Sequence, residues 1–333
     1  MSGPSTAGPP VFHAGESALQ ERAGVRDRVE AFGRRMLRDH MPEQHRELFA
    51  ALPTLLVGSL DAQRWPWASM LIGRPGFISA PDDRHLHVAA APGFGDPLHG
   101  QLAVGMPLGL LGLEPQTRRR NRMNGTVTAI DATGFSVQVE QSFGNCPQYI
   151  QAREPDWVDE PEAFGLPRAV TAEAGLLSLP AQRLVARSDT LFVASAAPQA
   201  RGHGGADGVD VSHRGGKPGF VRHTAEGAGA APRSVLTIPD FRGNFLFQTL
   251  GNIAAWPRAG LLFADPDSGD MLQLTGSAEV IWDGPQVEAF AGAQRLLRVR
   301  VEQGWWMAAA LPLRWSAPQY APQLAATGAW ARE

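Results

Sequence analysis

The feature that most constrains this chain is a set of three short landmarks that occurs twice in the same order. Pro75-Gly76-Phe77 is answered by Pro218-Gly219-Phe220, Met-Pro-Leu-Gly-Leu-Leu at 106–111 by Trp-Pro-Arg-Ala-Gly-Leu-Leu at 256–262, and Asn124-Gly125 by Thr275-Gly276. Pro107 and Gly125 lie 18 residues apart, Pro257 and Gly276 19. Landmarks repeated at such spacing read as two diverged copies of one structural unit. The length of 333 residues agrees, at about 150 residues per domain.

Each copy has β texture. TLLVGSL, PWASMLIG, HLHVAA, LGLLGLE, GTVTAID and FSVQVEQ in the first half, and TLFVASA, GVDVSH, GFVRH, VLTIPD, GLLFAD and MLQLTGSAEVIW in the second, are short strand-like runs separated by turn residues. The 37 Gly and 27 Pro fit many turns better than long helices. Helical spacing marks residues 16–40, a short helix after Pro42, one near 180–187 and one within 241–255; 96–104 reads as a short helix capped by Asp96. The expectation is an α+β, β-dominated chain: a helical N-terminal cover at 1–50 with its first 15 residues mobile, a first unit at 51–155, a linker at 156–178, and a second unit with a C-terminal extension at 179–333.

A formal net charge of −3 offers no basic field for nucleic acid. No apolar run approaches the ~20 residues of a membrane span. The single cysteine, Cys146, excludes an internal disulfide and a Cys-rich metal site, and the expected setting is cytoplasmic. His85, His87, His203, His213 and His223 form no metal-binding pattern, and the Gly-rich runs match no nucleotide-binding fingerprint. No metal is expected.

The most informative stretch is Val209–Asn252. In LTIPDFRGNFLFQTLGNI a strand runs through Ile238 to Asp240, a loop carries Arg242, Gly243 and Asn244, and a helix follows. A helix start offers free N–H groups and a positive dipole end. An arginine beside it, and a glycine that permits close approach, make a phosphate cradle. Arg214 and Lys217 on the neighbouring strand and loop add positive charge. The first half has AAAPGFGDPL at the matching place, with Asp96 and no basic residue, so one site per chain is expected.

The pattern strand–PGFV–strand–IPDFRGN–helix–NI–PRAGLLF resembles the pyridoxamine 5'-phosphate oxidase-like, flavin-nucleotide-binding family. The first half resembles the same family through RWPWASML, GDPL, LLGLE, TRRRNRMNG and SFGNCPQYIQ. The resemblance implies two tandem six-stranded split β-barrel modules with flavin mononucleotide (FMN) in the groove between them. It places Arg242, Gly243 and Asn244 at the phosphate, with Val211, Ser212, His213 and Arg214 flanking the ring. Gln248 or Asn252 would reach the ring's polar edge, and Ile238, Asp240 and Lys217 complete the set. In TRRRNRMNG, Arg118, Arg120 and Arg122 would share one face of a strand and, with Asn124, reach across to the cofactor or an anionic substrate. The expected partners are a small-molecule substrate and oxygen or a nicotinamide. No catalytic residue stands out. A monomeric pseudo-dimer and a homodimer are both open, as are a non-catalytic flavin carrier or sensor, an empty-groove pseudo-enzyme, and a haem-binding split barrel using His213 or His223.

Overall fold

Runs such as TLLVGSL and TLFVASA carry apolar residues at consecutive positions rather than only at alternate ones. A strand buried on both faces requires that. The computed structural model describes residues 11–200, 207–227 and 232–331 and shows these runs in that role. The first sheet uses β1 (Thr54–Leu60), β2 (Pro66–Ile72), β3 (Ile78–Ser79), β4 (His85–Val88), β5 (Pro107–Glu114), β6 (Arg119–Ile130) and β7 (Phe135–Gly144). After β8 (Pro155–Trp157) and β9 (Thr171–Glu173), the second uses β10 (Thr190–Ala196), β11 (Val209–Gly215), β12 (Arg222–Glu226), β13 (Arg233–Asp240), β14 (Arg258–Ala264), β15 (Met271–Ile281) and β16 (Arg295–Met307).

The strand orders are β2-β1-β5-β6-β7-β4-β3 and β11-β10-β14-β15-β16-β13-β12. Adding nine to each label of the first order gives the second. Where six strands per unit are expected, each path has seven, and β9 pairs with β16 beside the second path. The landmarks fall at matching places. Gly76 and Gly219 both have positive φ, at 98° and 82°. Asn124/Gly125 and Thr275/Gly276 both mark register shifts in the long hairpins. The third pair matches through Gly109-Leu110-Leu111 and Gly260-Leu261-Leu262 rather than through its prolines: Gly109 pairs with Gly58, and Gly260 with Ala194.

Alternation along the strands divides the sheet core into three main clusters among the described residues. Leu55, Val57, Leu108 and Leu110 face the interior of the first sheet with Phe49 and Phe135. Leu191, Val193, Leu261 and Phe263 do so in the second with Leu184 and Phe290. The opposite faces, Leu56, Leu111, Phe192, Val211 and Leu262, meet in a cluster between the sheets. Glycines set how closely the sheets approach. A Cβ on Gly109 would lie 2.5 Å from the Val209 carbonyl oxygen, and one on Gly260 would lie 2.4 Å from that of Pro66. Gly109→Val and Gly260→Val are each expected to lower stability by about 1–3 kcal/mol in urea unfolding. Unchanged midpoints would mean that the sheets separate without cost.

Six helices complete the described residues: α1 (Ala14–Arg22), α2 (Arg26–Met36), α3 (Glu43–Ala51), α4 (Leu179–Arg187), α5 (Gln248–Ala255) and α6 (Pro285–Glu288), with β17 (Leu313–Trp315) paired to β8. The helical spacing over 16–40 resolves into two helices, because Gly24 adopts φ 67° between them. Residues 1–10 and the Gly-rich run with His203 lie outside the described residues. Residues 11–15 are anchored: Phe12 is buried, and His13 caps α1, accepting from the Gly15 N–H while Glu16 accepts from the His13 N–H. The stretch 96–104 forms turns instead of a helix, with Asp96 accepting from the Leu98 N–H at 2.7 Å. The linker is pinned by β8 and β9. No helix among the described residues is long and apolar enough to cross a membrane.

Candidate functional site

A cleft lies where the start of β6 meets β11 and the β13–α5 loop. Pro115–Thr117 form a 3-10 turn that ends at Arg118, whose φ of 55° reverses the chain so that β6 begins at Arg119. Arg118 is therefore not on the strand. Its guanidinium donates to the carbonyls of Ile150 and Gln319 at 3.0 and 2.9 Å. Arg120 and Arg122 do share a face, and both line the cleft.

Arg122 is buried and consumed by its own chain. It donates to Asp210 at 3.1 Å, to Gln248 at 2.7 Å and to the Ser212 hydroxyl. Asp210 also accepts from Asn124 at 2.7 Å and Asn252 at 3.0 Å. Asn252 accepts from His13 Nε2 at 2.8 Å and donates to Ser195. His13 Nδ1 is already an acceptor, so the ring is the neutral Nε2–H tautomer, as burial, which lowers its pKa, demands. Burial raises the Glu16 carboxyl well above the usual range, with the nearby Asp210 adding to the shift. This network ties the first sheet, the second sheet and α1 together.

Among the described residues Arg120 has no carboxylate partner. It donates to the Cys146 carbonyl at 2.8 Å and to His213 Nδ1 at 3.1 Å. Burial, with Arg122 and Arg214 nearby, pushes it down to about 10, still a cation at neutral pH. Burial, and then Arg120 and Arg214, hold His213 well below the usual histidine range, so it stays neutral. Arg214 and Arg295 both pair with Asp240. Arg242 is exposed and lines the cleft with Gly243 and Asn244. Among the described residues, five arginines thus line the cleft against one carboxylate, Asp240.

The loop before α5 is held in an unusual conformation. Phe245 and Phe247 both have φ 61°, a region that bulky side chains avoid. Such residues cost about 1–3 kcal/mol each and concentrate at ligand sites. Asn244 accepts from the Leu246 N–H, and Gln20 donates to the Leu246 carbonyl. Phe247 precedes the helix without a side-chain cap, so the first-turn N–H groups of α5 remain for another acceptor.

Of the residues expected at a cofactor, Ser212, His213, Arg214, Asp240, Arg242, Gly243, Asn244 and Gln248 line the cleft, as do Arg120 and Arg122. Val211 does not; it is buried between the sheets. Asn252 and Asn124 are buried behind the cleft in the Asp210 network, and Ile238 belongs to the second core. Lys217 donates to the Thr327 carbonyl at 2.6 Å, away from the cleft. Of the two histidines named for haem, His223 bonds Ser234 on β13, and His213 has its Nδ1 held by Arg120. Sequence reading missed Tyr149, which stacks on Phe241 with centroids 5.0 Å apart, and Arg295, whose run read only as an apolar, Arg-bearing tail segment. It also missed the Asp210–His13–Glu16 network, because nothing in a sequence pairs positions some 200 apart.

No family model matches the chain, and no curated protein matches it. Among solved structures it is similar to HupZ of Group A Streptococcus carrying V5 and hexahistidine tags, at 13% identity over 38% of this chain and 90% of that one, with a TM-score of 0.28. A histidine-to-alanine variant of the same protein gives 14% identity, 39% and 98% coverage and a TM-score of 0.28.

Proposed function

We propose that the cleft binds FMN by its phosphate end and that the chain is an FMN-dependent oxidoreductase acting on a small organic substrate, built from two tandem split-barrel modules. The observation that carries this reading is the pair Arg120 and Arg242: two arginines in one cleft without a carboxylate partner among the described residues, beside a helix start with open N–H groups. A phosphate dianion matches that donor set in charge and hydrogen bonding. The cleft is open to solvent and its volume is about 130 Å³, below the roughly 300 Å³ at which pockets engulf a drug-sized molecule, so it would take the phosphate end and leave the rest of the cofactor outside.

Bound flavin supplies two-electron redox chemistry that side chains cannot. The chain's own residues bind and orient. Arg242 and the first turn of α5 would hold the phosphate. Arg122, paired with Asp210, holds Ser212 and Gln248 in place at the wall of the cleft. Arg120, braced by neutral His213, presents a cation to an anionic group of cofactor or substrate. Oxygen or a nicotinamide would be the electron partner.

The test is flavin fluorescence quenching on titration with FMN, alongside riboflavin, which lacks the phosphate. FMN is expected to bind at least about tenfold more tightly than riboflavin, and Arg242→Ala to remove most of that preference, because a charge-assisted contact is worth about 1.5–3 kcal/mol. Equal binding of the two ligands, or none of either, would overturn the reading. Bleaching of the bound flavin by a reduced substrate separates an enzyme from a flavin carrier.

A further inference from the structure

The matched strand orders place a second position across the interface that corresponds to the cleft. With Gly109 set on Gly260 and Gly58 on Ala194, the pairing registers fix the other equivalences. Arg122 lies opposite Leu111 on β5, and Gln273 lies opposite Leu262 on β14. Arg120 lies opposite Leu113, and Met271 opposite Ala264. Ser212 faces Val193, and Ser69 faces Val57, so Met70 takes the place of His213. The hydrogen bonds agree. Arg122 reaches Ser212 and Gln248 across the interface; Gln273 reaches Ser69 at 3.5 Å and Asp96 at 2.8 Å across the same interface in the opposite sense. Asp96 sits in the loop after β4, as Gln248 follows the loop after β13.

We propose that the chain contains a second, pseudo-symmetric copy of the ligand cleft, and that its own segment 161–170 occupies that copy in place of a ligand. Three observations carry this. At the matched positions the copy carries uncharged residues, with methionine and glutamine where the cleft has Arg120 and Arg122. Phe164 is buried in the same apolar cluster as Met70 and Met271. The segment lies directly on the β4–β5 loop: a Cβ on Gly93 would meet the Phe164 ring at 2.6 Å, one on Gly95 would meet Val170 at 2.5 Å, and the Phe94 N–H donates to the Phe164 carbonyl at 3.2 Å. The glycines of AAAPGFGDPL, which resemble a ligand loop in sequence, thus admit a side chain of the same polypeptide. An open cleft with unpaired arginines and a filled copy without them give one anion per chain. The inference rests on the cleft being a ligand site, and not on that ligand being FMN.

The experiment compares the wild type with Phe164→Ala by amide hydrogen exchange, and both by titration with inorganic phosphate. Removing the ring is expected to speed exchange in 89–98 and 271–273 by about tenfold or more, while 242–248 stays within about twofold. Phosphate is expected to bind at one equivalent per chain in both proteins. Acceleration equal in 242–248 and 89–98 would overturn the proposal, as would two phosphate equivalents in the wild type. Failure of both proteins to bind phosphate would count against the anion cleft, and the exchange pattern would still decide whether the segment fills the copy. If Phe164→Ala does not fold, Phe164→Leu keeps part of the contact and is held to the same local pattern.

Discussion

Replacing Arg122 with methionine will destabilise the chain by about 3–5 kcal/mol in denaturant unfolding, the range for removing one partner of a buried ion pair. Methionine keeps much of the volume, so the loss reports the charge. The Asp210 carboxylate would remain buried with only Asn124 and Asn252 as donors, and Gln248 and Ser212 would each lose one. The double variant Arg122→Met, Asp210→Asn should be more stable than Arg122→Met alone, since a neutral amide needs no counter-charge. A single-variant loss below about 1 kcal/mol would place the pair among solvated ones. FMN binding should weaken in the same variant.

The second large effect is a pH dependence localised to Asp96. Burial raises this carboxyl to about 6, against the bonds it accepts from Ser69, the Leu98 N–H and Gln273, which pull it down. Its ordinary value is 3.8. A carboxyl raised on folding binds its proton more tightly in the folded state, so its stabilising contribution is complete below the ordinary value and is lost as pH rises through about 6. The shift of about two units corresponds to ~3 kcal/mol. Asp96→Asn does not titrate. Its stability relative to the wild type should therefore rise by about 3 kcal/mol between about pH 3 and pH 8, with other titrating groups cancelling in the difference. A flat difference would mean that Asp96 is hydrated in solution.

The β architecture was legible because burial on both faces leaves a plain mark: unbroken apolar runs such as GLLF, bounded by Gly and Pro. The repeated landmarks were legible because each does a backbone job. Gly76 and Gly219 turn the chain at positive φ, and a Cβ on Gly125 or Gly276 would strike a neighbouring carbonyl at 2.1 or 2.0 Å. The cleft was legible in its loop, Arg242–Asn244, and in the alternation of Arg120 and Arg122. What was hidden depends on tertiary pairing. Asn252 and Asn124 have the right chemistry for a ligand, but Asp210 takes their amides. Arg118 was misplaced by one residue of turn geometry, because its left-handed conformation carries no sequence signal in an arginine. Lys217 was lost to a C-terminal carbonyl that follows it by 110 residues. The occupant of the second position was invisible for a related reason: Phe164 lies in a stretch whose composition is that of a linker.

Both sheets belong to one polypeptide, and this changes what a single codon can do at their interface. Between two identical chains, an arginine lost from one side of the junction is lost from the other as well, and both sites fail together. Here the residue at 122 and the residue at 273 are inherited separately. One position can keep its charge while the other drifts to an uncharged amide, and the stretch that joins the halves is free to settle into the vacated side. Covalent continuity thus allows the junction a direction that no pair of identical subunits could encode: on the reading proposed above, a side that takes the ligand and a side filled by the chain itself, both fixed in the gene.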